Sequence, residues 1–120
     1  MLFRSSILSH EAIEALRTLS PDDPGFMREL IEIYLQDTPL RLTEIDTALA
    51  KSDGTLLTRA AHSIKGSSGN FGASTLAKLA QEIEGHGKTG NFAAAAAALP
   101  GFKAEFARVK EALTKLAGGT

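Results

Sequence analysis

The stretch "NFAAAAAALPGFKAEFARVKEALTKLAG", residues 91–118, has the most regular pattern in the chain. Its apolar residues recur three and four positions apart, which is typical of a helix packed at a shallow angle against neighbouring helices. Alanine, the best helix former, fills positions 93–98, and Pro100 interrupts the register. The pattern predicts a kinked helix, or a short helix followed by a longer one. The apolar positions are Phe92, Ala95, Leu99, Phe102, Phe106, Val109, Leu113 and Leu116.

The segment near the N-terminus predicts a shorter amphipathic helix. Ser9 is suited to cap it, with Leu8 before the cap and Ile13 at the fourth helical position as a hydrophobic staple. Leu16 and Leu19 continue the stripe that Ile13 begins. The sequence "SPDDPG", residues 20–25, ends the helix.

A second helix is expected to begin at Asp23, which caps it, with Pro24 at its first position. Pro39 interrupts this segment. Proline cannot donate the helical hydrogen bond, so Pro39 either kinks the helix or starts a new one with Thr38 as its cap. The stripe comprises Phe26, Met27, Leu30, Ile31, Tyr34, Leu42, Ile45 and Leu49.

Two more helices are predicted between this segment and the C-terminal one. The first spans 54 to about 69, and "GNFG", residues 69–72, is a turn. The second starts at Ala73, and the glycines on either side of His86 are expected to end it. The buried stripes are Leu57, Ala61 and Ile64 in the first and Leu76, Ala80 and Ile83 in the second.

These segments predict an all-α fold, an antiparallel four-helix bundle with an additional N-terminal helix. No segment alternates with period two, so strands are not expected. With 120 residues the chain is expected to form one domain over 1–120, with an arm at 1–8 and a frayed tail at 118–120.

Composition narrows the function. The net charge of −1 gives no basic excess for nucleic acid, and there is no cysteine for a disulfide or a thiol nucleophile. The histidines lack metal-ligand spacing, so no metal site is expected. No apolar run is long enough for a membrane span and no secretory signal is evident, so a cytoplasmic location and no membrane partner are expected.

The stretch "AAHSIKGSSGNFG", residues 60–72, places polar residues on one face of its helix. At 100° per residue, His62 lies about 140° from Leu57 and about 160° from Ile64, so it points to solvent. Lys65 and Gly66 share that face. A glycine inside a helix costs about 1 kcal/mol relative to alanine. Gly66 either lets a partner approach the imidazole closely, or it is simply the left-handed residue that ends the helix.

The longer stretch "AAHSIKGSSGNFGASTLAKLAQEIE", residues 60–84, resembles histidine-containing phosphotransfer (HPt) domains of multistep phosphorelays. The family signature is H-x-x-K-G followed by small residues and a further glycine. Here it comprises His62, Lys65, Gly66, Ser67, Ser68 and Gly72. The flanking stretches "LIEIYLQDTPLRLTEIDTALAKSD" and "FKAEFARVKEAL" resemble the family's helices on either side, so the likeness covers roughly residues 9–116.

The resemblance implies roles for individual residues. His62 would carry the phosphoryl group, Lys65 would help to hold it, and Gly66 would leave room for the partner. A polar residue of the following helix would accept a hydrogen bond from the ring. Glu84 matches that position, and Gln81, one turn earlier, is the substitute.

Three other residues near or outside the signature have plainer interpretations. Arg59 lies almost one turn before His62 and supports the site or is a plain surface cation. His10 and His86 are interpreted as surface residues rather than further phosphorylation sites.

The resemblance implies a phosphocarrier that relays a phosphoryl group between receiver aspartates through phosphohistidine. No Gly-rich ATP loop is present, so the chain is not expected to be an enzyme. The expected partners are response-regulator receiver domains or a hybrid histidine kinase. Mg²⁺ is expected on the receiver, with no cofactor on this chain, which is expected to be monomeric. Two alternatives remain: an acceptor domain served directly by a kinase core, and a helical adaptor without phosphate.

Overall fold

A computed structural model of the chain describes residues 7–23 and 25–118, and in these ranges it contains helices and turns but no strand. α2 packs against α3 and α5, and α4 packs against the same two helices, so α2–α5 form an antiparallel four-helix bundle. α1 lies across α2 and α3. The predicted fold class is confirmed. The helices are α1 His10–Leu19, α2 Gly25–Lys51, α3 Gly54–Asn70, α4 Ser74–Thr89 and α5 Phe92–Gly118.

The core lies between the four bundle helices and consists of one apolar stripe from each. Burying a branched aliphatic or aromatic side chain contributes roughly 1.5–3 kcal/mol, and alanines between such side chains allow the helix axes to come close. α2 and α5 have 27 residues each, whereas α3 and α4 have 17 and 16, so a short hairpin packs against a longer pair. The largest fully buried apolar side chains are Phe102, Ile31, Ile45, Leu57, Ile64, Leu76, Ile83, Leu113 and Val109.

The predicted start of α1 is confirmed. The Ser9 hydroxyl accepts a hydrogen bond from the Ala12 N–H at 3.2 Å, and Ile13 is buried. Leu16 is half-buried, but Leu19 is 68% exposed, so the buried stripe of α1 ends earlier than predicted.

The start of α2 is described only in part. The Asp23 carboxylate accepts a hydrogen bond from the Gly25 N–H at 3.0 Å, as expected of a cap. The predicted position of Pro24 lies outside the described residues. So do residues 1–6 of the predicted arm and residues 119–120 of the predicted tail, whereas Gly118 is the last residue of α5.

Both internal prolines lie within single helices, so of the two alternatives predicted at Pro100 the division into a short and a longer helix is wrong. α2 likewise continues through Pro39. Thr38 is not a cap, because it lies inside the continuous α2, where its buried side chain is beside the Tyr34 hydroxyl. Each proline removes one hydrogen bond and is itself exposed, so the freed carbonyl one turn earlier can bond to water. Packing on both sides of each proline keeps the helix continuous.

The turn between α3 and α4 depends on Gly72, whose φ of 69° is left-handed. A Cβ at this position would lie 2.7 Å from the backbone nitrogen of Ser9 and 2.9 Å from the Cβ of Ala12. Gly72 therefore has two functions. It allows the turn, and it leaves the space into which the first turn of α1 fits.

α4 does not end at the glycines around His86, so that prediction is wrong. The helix continues to Thr89, and Gly90, with a φ of 72°, ends it. The Asn91 N–H then bonds to the His86 carbonyl at 2.8 Å. Gly87 has a packing role instead. A Cβ there would lie 2.6 Å from Thr58 Oγ1 and 3.0 Å from the Thr58 nitrogen, so its absence allows α3 and α4 to approach closely.

Candidate functional site

The site is built on the exposed face of α3. The His62 side chain is 66% exposed, in agreement with its angular position opposite the buried stripe. Leu57, Ala61 and Ile64 hold the opposite face of the helix in the core. A surface histidine is thus presented by a rigid helix rather than by a loop, which fixes the direction of its ring.

A carboxylate from α4 orients that ring. Glu84 Oε2 lies 2.9 Å from His62 Nδ1, and the Glu84 side chain is only 8% exposed. An ionised carboxylate only accepts hydrogen bonds, so Nδ1 must carry the proton and donate it. In the neutral ring Nε2 is therefore unprotonated, and its lone pair faces away from Glu84.

Glu84 is surrounded by cations. Lys65 Nζ lies 2.8 Å from Oε1, and Lys88 Nζ lies 3.6 Å from Oε2. The hydrogen bond from Lys65 is the largest cause of a lowered pKa of the Glu84 carboxyl. Burial acts in the opposite direction, and the hydrogen bond from His62 adds to the lowering. The carboxylate is consequently ionised at neutral pH, as the assignment of the Nδ1 proton requires.

The glycine on the His62 face is helical. Gly66 lies inside α3, and Gly72 and Gly90 are the glycines with positive φ in the described ranges. The alternative that Gly66 ends the helix in a left-handed conformation is therefore excluded. A Cβ on Gly66 would meet no atom within 4 Å, and the same holds for Gly85 on α4, next to Glu84. The surface beside His62 on α3 is therefore open at Gly66.

The close approach of α3 and α4 brings these groups together. Gly54 and Gly87 lie at the end of the hairpin opposite the Gly72 turn, and a Cβ on Gly54 would lie 2.8 Å from the Gly87 carbonyl oxygen. Because the helix backbones are this close, a glutamate side chain on α4 can reach the ring on α3. A larger residue at position 87 would move the carboxylate away.

The other predicted residues lie outside this cluster. Gln81 is exposed, and the side chain that contacts the ring is Glu84. Arg59 is exposed and belongs to no ion pair with the described part of the chain. His10 is exposed at the start of α1, and His86 is half-buried on α4. The sequence reasoning missed Lys88, although its position four residues after Glu84 is the favourable spacing for an ion pair on a helix.

The arrangement of His62, Lys65, Gly66 and Glu84 on an antiparallel helix pair agrees with comparisons of sequence. The family model of the Hpt domain matches residues 29–117, which is most of the chain. The chain belongs to the Hpt domain family.

Two proteins illustrate this Hpt relationship. The chain is 24% identical over 88 residues to the phosphorelay intermediate protein YPD1 of Candida albicans. The match covers 73% of this chain but 48% of YPD1, so the chain spans about half the length of that relative. The crystal structure of histidine-containing phosphotransfer protein B (HptB) from Pseudomonas aeruginosa PAO1 is similar with a TM-score of 0.88 and 26% identity. That match covers 98% of this chain and 99% of HptB.

This Hpt domain also has an apolar groove beside the site. The groove has a volume of about 470 Å³ and lies between α1 and α2, with α3 at its base. Ser67 and Asn70 of α3 line it, so the groove borders the helix that carries His62. Leu19 and Ile33 are exposed along it. The α1–α2 groove is lined by Leu16, Leu19, Phe26, Leu30, Ile33, Tyr34, Asp37, Ser67, Asn70 and Phe71.

The described residues form neither a metal site nor a membrane span. In residues 7–23 and 25–118, no three His, Asp or Glu side chains cluster as the ligands of a metal ion would. None of the helices, as far as they are described, combines the length and the apolar character needed to cross a membrane.

Proposed function

We propose that the chain is a phosphocarrier of a multistep phosphorelay and that His62 is its phosphorylated residue. The observation that carries the proposal is the contact between Glu84 and His62 Nδ1, because it leaves Nε2 as the exposed nucleophile of the ring. The activities of Hpt proteins as phosphorelay components support it. Phosphorylated receivers would supply the phosphoryl group, and unphosphorylated receivers would accept it.

The proposed step needs no proton transfer. The lone pair of Nε2 attacks the phosphorus of an aspartyl phosphate, an N–P bond forms, and the P–O bond to the aspartate breaks. The electron pair leaves with the aspartate as a carboxylate. The ring, now bonded at Nε2 and still protonated at Nδ1, becomes positively charged, and the Glu84 carboxylate stabilises that charge. The return reaction to a second receiver reverses these bonds.

Each residue of the cluster supports this step in a distinct way. The Lys65 ammonium is one turn from His62 and can compensate the charge of the bound phosphoryl group. Gly66 leaves the space that a receiver backbone needs to bring its aspartate in line with Nε2. Mg²⁺, bound by the receiver, would supply the remaining charge stabilisation, and in this proposal the chain needs no cofactor or ATP site of its own. Gln81 and Arg59 remain candidates for outer contacts with the partner.

The α1–α2 groove is proposed as part of the receiver docking surface. It borders α3, the helix that carries His62, and it exposes the large apolar side chains Leu19 and Ile33. In the apolar stripe of α1, Leu19 is exposed, Leu16 is half-buried and Ile13 is buried. Leu19 is therefore the side chain of α1 best placed for docking. The proposal takes the chain as a monomer in the cytoplasm, where receivers and kinase cores would reach both surfaces.

A transfer assay tests the proposal against its alternatives. The purified protein is incubated with ³²P-labelled receivers charged by acetyl phosphate and, separately, with a histidine kinase core and labelled ATP. Acid-labile, base-stable label that appears from the receivers and passes to a second receiver supports the relay. Label accepted only from the kinase core supports a directly served acceptor domain, and no label from either source supports the adaptor.

A further inference from the structure

Lys65 is already engaged in the unphosphorylated protein. Its ammonium lies 2.8 Å from Glu84 Oε1, and that carboxylate is nearly buried. A phosphoryl group on His62 would bring about two more negative charges into the site. Lys65 would then have to neutralise two anions at once, the Glu84 carboxylate and the phosphoryl group. Turning to the phosphoryl group would leave a buried carboxylate with fewer partners, which is costly.

Lys88 is the residue able to resolve this conflict. It lies on α4 one turn after Glu84, its ammonium is 3.6 Å from Oε2, and its side chain is 65% exposed. The distance is longer than a hydrogen bond, so the side chain has both room and freedom to move closer. Glu84 thus has one cation held tightly and a second held loosely within reach.

We propose that Lys88 is a positioning residue that takes the place of Lys65 on Glu84 when Lys65 turns to the phosphoryl group. This inference rests on the proposed phosphorylation of His62. Lys88 forms no bond to the phosphoryl group in this exchange. It approaches the Glu84 oxygen that binds Nδ1, whereas Nε2, which bears the phosphoryl group, faces away from that oxygen.

The exchange also explains how Glu84 keeps its function through the reaction. The carboxylate must remain ionised to hold the proton on Nδ1 in both states of the ring. Lys65 is the largest cause of its lowered pKa before transfer, and Lys88 provides a cation in its place afterwards. The protonation of the ring would therefore not change when Lys65 moves.

The test compares Lys88→Met with two matched controls in the receiver transfer assay. Lys88→Arg keeps the charge, and Lys78→Met removes the same charge from an exposed position of the same helix. We expect Lys88→Met to slow transfer at saturating receiver by about two- to fivefold, the size of one partly exposed ion pair. Both controls are expected to transfer at the wild-type rate. A slow-down that disappears at saturating receiver, or one that Lys78→Met reproduces, would overturn the proposal.

A double-mutant cycle separates the exchange from direct contact with phosphate. In a Glu84→Gln background there is no carboxylate to neutralise, so adding Lys88→Met is expected to cause no further slowing. If Lys88 contacted the phosphoryl group itself, the same loss would appear in both backgrounds, and the proposal would be wrong. If the wild-type protein accepts no label at all, the proposed function fails, and that result is distinct from a failure of Lys88 alone.

Discussion

Two pairs of glycines in the α3–α4 hairpin have opposite surroundings. At Gly54 and Gly87 an added Cβ would collide with the backbone of the other helix. At Gly66 and Gly85 an added Cβ would meet no atom within 4 Å. All four lie in helices, where glycine is unfavourable by about 0.5–1 kcal/mol relative to alanine.

The difference separates a requirement of the fold from a requirement of function. Gly54 and Gly87 allow the helices to approach, and that approach lets Glu84 reach His62. Gly66 and Gly85 contribute nothing to packing within the described chain, so packing there does not offset the stability that glycine loses in a helix. Gly66 lies one turn after His62 on α3, so its open space is available to a partner that approaches the ring.

The largest expected effect comes from His62, which lies one turn before the open Gly66. Replacing His62 by Gln should abolish label transfer, because no nucleophilic nitrogen remains. It should change the free energy of unfolding by less than about 0.5 kcal/mol, since the side chain is exposed. His10→Gln and His86→Gln serve as controls and should transfer normally. Label that persists in the His62 variant, or that is lost in either control, contradicts the assignment.

Alanine at Gly87 tests the closely packed pair. Its Cβ would crowd Thr58 and the Gly54 carbonyl, so the free energy of unfolding should fall by about 1–3 kcal/mol. Gly85→Ala, two residues away on the same helix, is the matched control and should raise it by about 0.5–1 kcal/mol. Urea denaturation of both variants measures the difference. Changes of the same sign would erase the distinction between the two pairs.

Substitution of Gly66 tests the open pair through the reaction. Gly66→Gln adds a side chain beside the imidazole and should slow transfer from a receiver by about tenfold, because the in-line approach is obstructed. Gly66→Ala should raise the free energy of unfolding by about 0.5–1 kcal/mol, since its backbone is helical. Transfer rates and thermal melts are read together. A destabilised Gln variant with unchanged transfer would show that the open space has no partner.

The pH dependence of the free energy of unfolding tests the contacts of Glu84, which the close packing at Gly54 and Gly87 permits. The pKa of Glu84 is lowered in the folded protein, so the folded state binds fewer protons than the unfolded state below neutral pH. The stabilisation is present above the ordinary glutamate pKa and is lost as pH falls through the lower folded value. Wild type should exceed Glu84→Gln by about 1 kcal/mol at pH 7 and lose that advantage at acidic pH. A difference that stays constant with pH would contradict the ion pairs.

Much of the fold was predictable because each helix has one apolar stripe and some have a side-chain cap, such as Ser9 before α1 and Asp23 before α2. The C-terminal end of α4 and the continuity of α2 and α5 through their prolines could not be predicted. Glycine and proline interrupt an isolated helix, but packing on both sides of Pro39 and Pro100 overrides the local preference. Glycine also has different structural roles at different positions: Gly87 allows close packing inside α4, whereas Gly90 ends the helix. Sequence alone does not distinguish these two.

The site was likewise predictable only in its local features. The exposure of His62 follows from the helical period, which is a local property. The choice between Glu84 and Gln81 does not, because it depends on which turn of α4 lies level with the ring. The turn at Gly72 and the close approach at Gly87 set that level, and both are tertiary features. The position of Lys88 near Glu84 depends on neither feature, because both residues lie on the same helix four positions apart.

The contact of α1 with Gly72 has a consequence for how the molecule opens. α1 has ten residues, buries Ile13 fully, and fits its first turn against the bare α-carbon of Gly72. The bundle helices have at least 16 residues each and share a common core. α1 should therefore detach and reseat as a unit while the bundle remains folded, and its amide hydrogens should exchange with solvent long before those of α3. One wall of the α1–α2 groove is then a hinged element, and a bound receiver should protect those amides.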